Sequence, residues 1–186
     1  MKNRKKNYIF DHKLFKIRET LDEDTEKWYK WFNDNKITEF VPNVRGPNTI
    51  EAQRKYRLAH INGEERAIFS VVSGKKDKLI GTCSIAFIKP ANSRRCEISL
   101  IIGESKYCSG PTYIEINRWL INYSFNHFGM NSILSSTFED NLVVRKTVEF
   151  LGFKKIGLQR SRFYKNGKFC NAAQYDLLKS EWEKNK

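Results

Sequence analysis

Apolar positions fall in short runs of two-residue period over much of the chain, and a few longer stretches instead repeat every three to four residues. The alternation at Leu14, Phe15 and Ile17 predicts a first strand over residues 14–21. The cluster Asp22-Glu23-Asp24-Thr25 reads as a helix start, because acidic groups suit the positive end of a helix. Trp28, Trp31 and Phe32 follow at helical spacing, and Asn33-Asp34-Asn35 closes that helix. A loop over residues 42–47, holding Arg45 and Gly46, leads to a second helix over residues 50–61, capped by Asn48-Thr49 and closed at Asn62-Gly63. Tyr56 and Leu58 are among its apolar residues.

Three strands are expected next, over residues 67–73, 79–88 and 95–103, joined by polar turns into an antiparallel meander. A long helix over residues 111–128 carries Ile116, Leu120 and Tyr123 on one face. A strand over residues 132–138, a helix over residues 141–151 stopped by Gly152, and a hairpin about the turn Lys165-Asn166-Gly167 complete the order. Residues 179–186 are polar and expected to fray. No internal repeat or low-complexity linker divides the chain, so residues 12–186 are expected to form one domain behind a flexible basic arm over residues 1–11.

Composition narrows the class. Of the 186 residues 40% are apolar and 30% charged, which fits a globular protein with a core and speaks against disorder. The apolar runs are too short to span a bilayer, and no apolar segment follows the basic start as in a secretory signal, so a cytoplasmic protein is expected. Cys83, Cys96, Cys108 and Cys170 show no C-x-x-C spacing and read as reduced thiols. The net charge of +13 attracts anions: nucleic acid, acidic lipid, or a phosphorylated ligand such as coenzyme A. The basic residues are scattered and form no stripe along one helix, which suits a solvated surface better than a nucleic-acid footprint.

Residues 96–153 carry the chemistry. A strand feeds a tight loop and then a helix, and the N–H groups of a helix start converge on one spot that favours negative charge. His12, His60 and His127 are dispersed and none sits at metal-ligand spacing, so no metal is expected. G-x-S-x-G, Walker and dinucleotide fingerprints are absent. Cys108 lies in the tight loop, where a helix start would lower its pKa; the plainer reading is a small residue in a crowded turn.

The motifs W-F-N-D at residues 31–34, I-I-G-E at 101–104, F-E-D-N at 138–141, V-E-F-L-G-F at 148–153 and R-F-Y-K-N-G-K at 162–168 occur in an order that resembles the GNAT superfamily of N-acetyltransferases. Within it the chain is similar to the Rim-type branch, which includes ribosomal-protein N-terminal and amino-sugar acetyltransferases. The resemblance implies an α+β (mixed α/β) fold, with a splayed, mostly antiparallel sheet of six or seven strands flanked by about four helices. It implies acetyl-CoA as co-substrate and a primary amine as acceptor, a protein N-terminus or an amino sugar, in a monomer or homodimer. Backbone groups of Leu100, Ile101 and Ile102 would meet the pantetheine arm, and Ser109, Gly110, Thr112 and Tyr113 would cradle the pyrophosphate. Asn141 and Arg145 would contact the coenzyme, and at Asn141 a plain helix cap competes with that role.

The loop departs from the family's glycine-rich pattern. Tyr107 to Tyr113 read Y-C-S-G-P-T-Y, with Pro111 and Tyr113 in place of two glycines. Pro111 removes one N–H donor but suits the first helical position, leaving Thr112 and Tyr113 to offer theirs; the Tyr113 side chain could instead block the site. Acetyl transfer needs an amine made neutral before it attacks the thioester, and Glu97 is the first candidate base, with Glu139 and Asp140 as alternatives. The acid tyrosine of many relatives falls at Val148 and is missing, so positioning and backbone polarisation would carry more of the catalysis. The other reading is a GNAT-fold protein that does not acetylate and uses its basic surface to bind nucleic acid or protein.

Overall fold

The computed structural model describes residues 7–42, 48–61, 63–108 and 110–184. Along the chain these are β1 (Tyr8–Asp11), β2 (Phe15–Glu19), α1 (Asp24–Phe32), α2 (Ile50–His60), β3 (Arg66–Ser73), β4 (Leu79–Ile88), β5 (Arg95–Ile102), α3 (Gly110–Asn126), β6 (Ser132–Phe138), α4 (Leu142–Phe150), β7 (Lys154–Lys165), β8 (Lys168–Leu178) and α5 (Lys179–Lys184). The strands form one eight-stranded sheet in the order β1-β2-β3-β4-β5-β6-β8-β7. The pairs β1·β2, β2·β3, β6·β8 and β7·β8 are antiparallel, and β5·β6 is parallel. The mixed α+β architecture expected from the sequence is thus present, with one strand more than the six or seven expected.

The extra strand is β1. The segment expected as a flexible arm pairs Tyr8–Asp11 with β2, and the Tyr8 hydroxyl donates to the Asp77 carboxylate, which pushes the phenol pKa up to about 12 through burial first and that carboxylate second. Residues 1–6 of that expected arm lie outside the described residues, as do residues 43–47 of the expected loop, Asn62 and Ser109.

The contacts divide the chain into two compact units, with β4, β5 and α3 running through both. The first comprises Met1–Ser84 with Leu100–Tyr113, and the second Ile85–Ser99 with Ile114–Lys186. In the first unit Trp28, Trp31, Ile68, Val72 and Leu79 form a buried cluster. Each large side chain buried there stabilises by about 1.5–3 kcal/mol. The acidic start of α1 does more than favour a dipole. Asp24 is buried and holds the buried Arg18 through two bonds of 2.7 Å, while accepting from Ser70 Oγ at 2.6 Å and from the Leu21 N–H at 2.8 Å. On α2 the inward residue is Arg57, whose guanidinium reaches the Thr20 carbonyl at 3.4 Å, whereas Tyr56 and Leu58 are exposed. Thr49 caps that helix, accepting the Ala52 N–H at 3.1 Å.

In the second unit Ile116, Leu120, Ile121 and Phe125 of α3 are fully buried, as are Ile133 of β6 and Ala172, Ala173, Tyr175 and Leu177 of β8. Gly152 ends α4 at φ +90°, and the N–H groups of Gly152 and Phe153 return to Glu149 and Val148. Asn166 and Gly167 both take positive φ, 50° and 78°, the geometry of a two-residue hairpin turn. The polar end does not fray over Lys179–Lys184: it is helical, Trp182 is buried, and its indole N–H donates to Asn122 Oδ1 at 3.0 Å. No helix of the described residues is long and apolar enough to cross a membrane.

Candidate active site

In the first unit, β5 ends in Leu100, Ile101 and Ile102, and the chain then turns through Gly103-Glu104 and a short 3-10 turn at Ser105–Tyr107. Two close approaches fix that turn. A Cβ at Gly81 would lie 2.6 Å from the Ile101 carbonyl oxygen, and one at Gly103 would lie 2.0 Å from the Trp31 indole. Only glycine fits at either place. The motifs W-F-N-D and I-I-G-E, separate in the sequence, therefore meet face to face. Glu104 is tied to Lys78 at 2.9 Å, and the Lys27 ammonium donates to the Leu79 carbonyl at 3.0 Å beside the Trp31 ring.

The loop then reaches Cys108, whose thiol lies 3.7 Å from the Ile102 carbonyl and 3.9 Å from that of Glu104. Burial pushes this thiol's pKa up, opposite to the lowering expected of a reactive cysteine at a helix start. Gly110 opens α3 at φ +77° with nothing near its missing Cβ, so backbone conformation, not space, requires glycine there. Pro111 follows, where its ring fits and its absent N–H costs nothing. Tyr113 is buried, so its ring packs within the protein and is not displayed to solvent over the loop. The first-turn N–H groups of a helix have no acceptor in their own helix, and helix starts in general favour anions.

In the second unit, the parallel ladder of β5 and β6 is formed by Arg95↔Ser132, Cys96↔Ile133 and Glu97↔Leu134. Glu97 is half-buried at the last of these pairs. β6 continues beyond Leu134 to Phe138, paired with β8 along its whole length. Glu139, just past the strand, is five positions along from Leu134, on the order of 15 Å away at ~3.3 Å per residue. The two candidate bases are therefore not brought together.

Glu139 instead sits in a network with α4 and the final hairpin. Its Oε2 accepts from Asn171 Nδ2 at 3.0 Å, and its backbone carbonyl accepts from Arg145 Nη1 at 2.8 Å. Arg145 Nε donates to the Tyr175 hydroxyl at 3.2 Å, and that hydroxyl donates to Glu149 Oε1 at 2.9 Å. Burial pushes the Tyr175 phenol pKa up, and the bond from Arg145 works against it. Asn141 Oδ1 takes the Val144 N–H at 3.2 Å, so the capping role is filled, and the side chain's Nδ2 remains for any ligand. The Arg145 guanidinium, expected to meet phosphates, has two of its nitrogens engaged within the fold. Val148 is buried.

Sequence reasoning missed Trp31 as the wall behind Gly103, and Tyr175, Glu149 and Asn171 as the partners of Arg145 and Glu139. For Trp31 the signal was its place in a motif. For Asn171, 32 positions from Glu139, no local pattern exists.

A strand that leads into a glycine-turned loop and a long helix, followed by a strand and an Asn-capped helix, is the element order of an acyltransferase domain. The chain matches the family model of the acetyltransferase (GNAT) domain over residues 17–172 and belongs to that family of acyltransferases. It is 27% identical over 171 residues to the uncharacterized N-acetyltransferase p20 of Bacillus licheniformis, covering 89% of this chain and 93% of that one. Among solved structures, spermidine N-acetyltransferase from Vibrio cholerae in complex with CoA and spermine superposes with a TM-score of 0.83 at 17% identity, over 92% of this chain and 99% of that one. Ribosomal-protein-S5-alanine acetyltransferase from Vibrio fischeri gives 0.79 at 19% identity, over 93% and 97%.

Proposed function

We propose that the protein transfers an acetyl group from acetyl-CoA to a primary amine, as a Rim-type member of its family. The observation that carries this reading is the start of α3 behind the end of β5: Gly110 in the left-handed region followed by Pro111, a helix start whose positive end favours an anion. In this reading Gly110, Thr112 and Tyr113 offer backbone N–H groups to the pyrophosphate; Ser109, expected to join them, lies outside the described residues. Leu100, Ile101 and Ile102 present backbone to the pantetheine arm. Trp31 and the Glu104–Lys78 pair hold the loop in place from behind. The coenzyme supplies the activated acetyl group, and the residues of this chain bind, orient and move the proton.

Glu97 and Glu139 are the two carboxylates proposed to take the amine proton, directly or through a water. Glu139 is held in one orientation, because Asn171 fixes one oxygen and Arg145 fixes the backbone beneath it. Arg145 in this reading positions Glu139 instead of gripping phosphate, and Asn141 caps α4 with its Nδ2 available to the coenzyme. The test is calorimetric titration with acetyl-CoA and CoA. Saturable heats at micromolar to millimolar ligand are expected, and their absence at millimolar concentration overturns the reading. Glu97→Gln and Glu139→Gln then separate the bases: the true one loses kcat and keeps coenzyme affinity.

A further inference from the structure

The final hairpin carries a feature that acetyl transfer itself does not require. Between Gln159↔Ala172 and Phe163↔Cys170 three residues of β7, Arg160, Ser161 and Arg162, stand opposite the single residue Asn171. Ser161 is held at φ +52°, a left-handed conformation costly for a residue other than glycine, and its N–H donates to Asn171 Oδ1 at 3.1 Å. The same Asn171 donates through Nδ2 to Glu139. One side chain thus pins the bulge and orients a candidate base. Arg160 and Arg162 are both exposed on the bulge, and neither guanidinium has a hydrogen-bond or ion-pair partner among the described residues. Lys155 and Lys168 are exposed as well, and the acidic neighbours of β7 stand at its other end, where Lys154 is ion-paired with Glu181 and lies opposite Asp176.

We infer that this bulge reads negative charge on the acceptor, and that the acceptor is an amine at the N-terminus of an acidic polypeptide; the inference rests on the acetyl-transfer reading above. Two guanidiniums on a pinned bulge match carboxylates in fork geometry, and they repel a polycationic amine. From Lys155 to Arg162 is seven positions of β7, roughly 23 Å at ~3.3 Å per residue, and Lys168 stands across the turn on β8. A single phosphate would meet only one end of that span, whereas an extended acidic chain meets its length. Asn171 is the positioning residue of this device, since it holds the bulge and Glu139 at once.

The experiment measures binding and turnover separately. Short peptides with a free N-terminal alanine, a C-terminal fluorophore and a body rich in Asp, Ser or Lys are titrated with the full chain by anisotropy, between about 50 and 300 mM salt. The acidic peptide is expected to bind at least about tenfold tighter than the basic one, with the preference shrinking as salt rises. Arg160→Ser with Arg162→Ser is expected to abolish that preference at an unchanged melting temperature. Asn171→Ala is expected to weaken it and lower kcat together, and Asn171→Asp, which can still accept the Ser161 N–H, to restore the preference but not kcat. Equal binding of the three peptides, tighter binding of the basic one, or tighter binding of a single-stranded oligonucleotide than of the acidic peptide overturns the inference. Loss of coenzyme binding with the acidic preference intact sinks the acetyl-transfer reading alone.

Discussion

The two helices that follow β5 and β6 begin in opposite ways. At the start of α4, side chains close the helix: Asn141 caps it, and Arg145 reaches back to the Glu139 carbonyl while gripping Tyr175. At the start of α3 the chain turns on Gly110 at φ +77° and enters through Pro111. A helix end satisfied by its own side chains gains stability and has little left for a ligand. One entered through a glycine and a proline relies less on a side chain of its own first turn, because proline suits the first helical position. In the proposed reading phosphate binding falls to α3 and structural support to α4, although the family resemblance also implies coenzyme contacts at Asn141 and Arg145.

The strongest test of that contrast lies just before α3. Gly103→Val drives a side chain into the Trp31 indole, where even a Cβ would be 2.0 Å away. Overpacking of this kind costs about 1–3 kcal/mol or more. Chemical denaturation should show at least that loss, and a variant as stable as the parent would mean that Trp31 does not support the loop. Gly110→Val comes next. Its Cβ meets nothing within 4 Å, so the cost expected is that of the left-handed conformation, about 1–2 kcal/mol. Its larger effect should be on acetyl-CoA affinity, with a rise in Kd of about tenfold or more. Asn141→Ala should do the reverse, losing about 1 kcal/mol of stability through the missing cap while coenzyme affinity changes less. If the two variants rank alike in both measurements, the division of labour between the two helix starts is wrong.

Much of this was readable in the chain. The element order, the Gly152 stop and the Asn166-Gly167 turn are local signals, and the strand over residues 132–138 is found where the alternation puts it. What escaped depends on contacts between distant positions. β1 hides within a basic start and forms because β2 offers it an edge. Asp24 looks like a dipole partner and is in fact the buried counter-ion of Arg18. The Ser161 bulge exists because Asn171, ten positions on, takes its N–H. Motif order was enough to recognise the family, but a motif does not say which of its polar atoms are already engaged, as those of Asn141 and Arg145 are.

The mildest probe of the contrast uses Cys108, which lies just ahead of α3. Were the positive end of that helix to reach the thiol, its pKa would fall and the thiolate would form near neutral pH. Burial acts the other way and pushes the pKa up, so the thiol stays protonated at neutral pH and its thiolate appears only as the solution becomes alkaline. Cys83 and Cys96 are buried, the latter with its pKa pushed up to about 11 by burial, so with Cys170→Ser the Cys108 signal stands alone. Alkylation by iodoacetamide should be slower than that of a free cysteine at pH 7.5 and should climb with pH, its midpoint above that of the free thiol. Acetyl-CoA should slow it further by covering the thiol. A midpoint below that of free cysteine would show the helix field falling on Cys108 instead of being reserved for a bound anion, and the donors assigned to the coenzyme would have to be sought elsewhere.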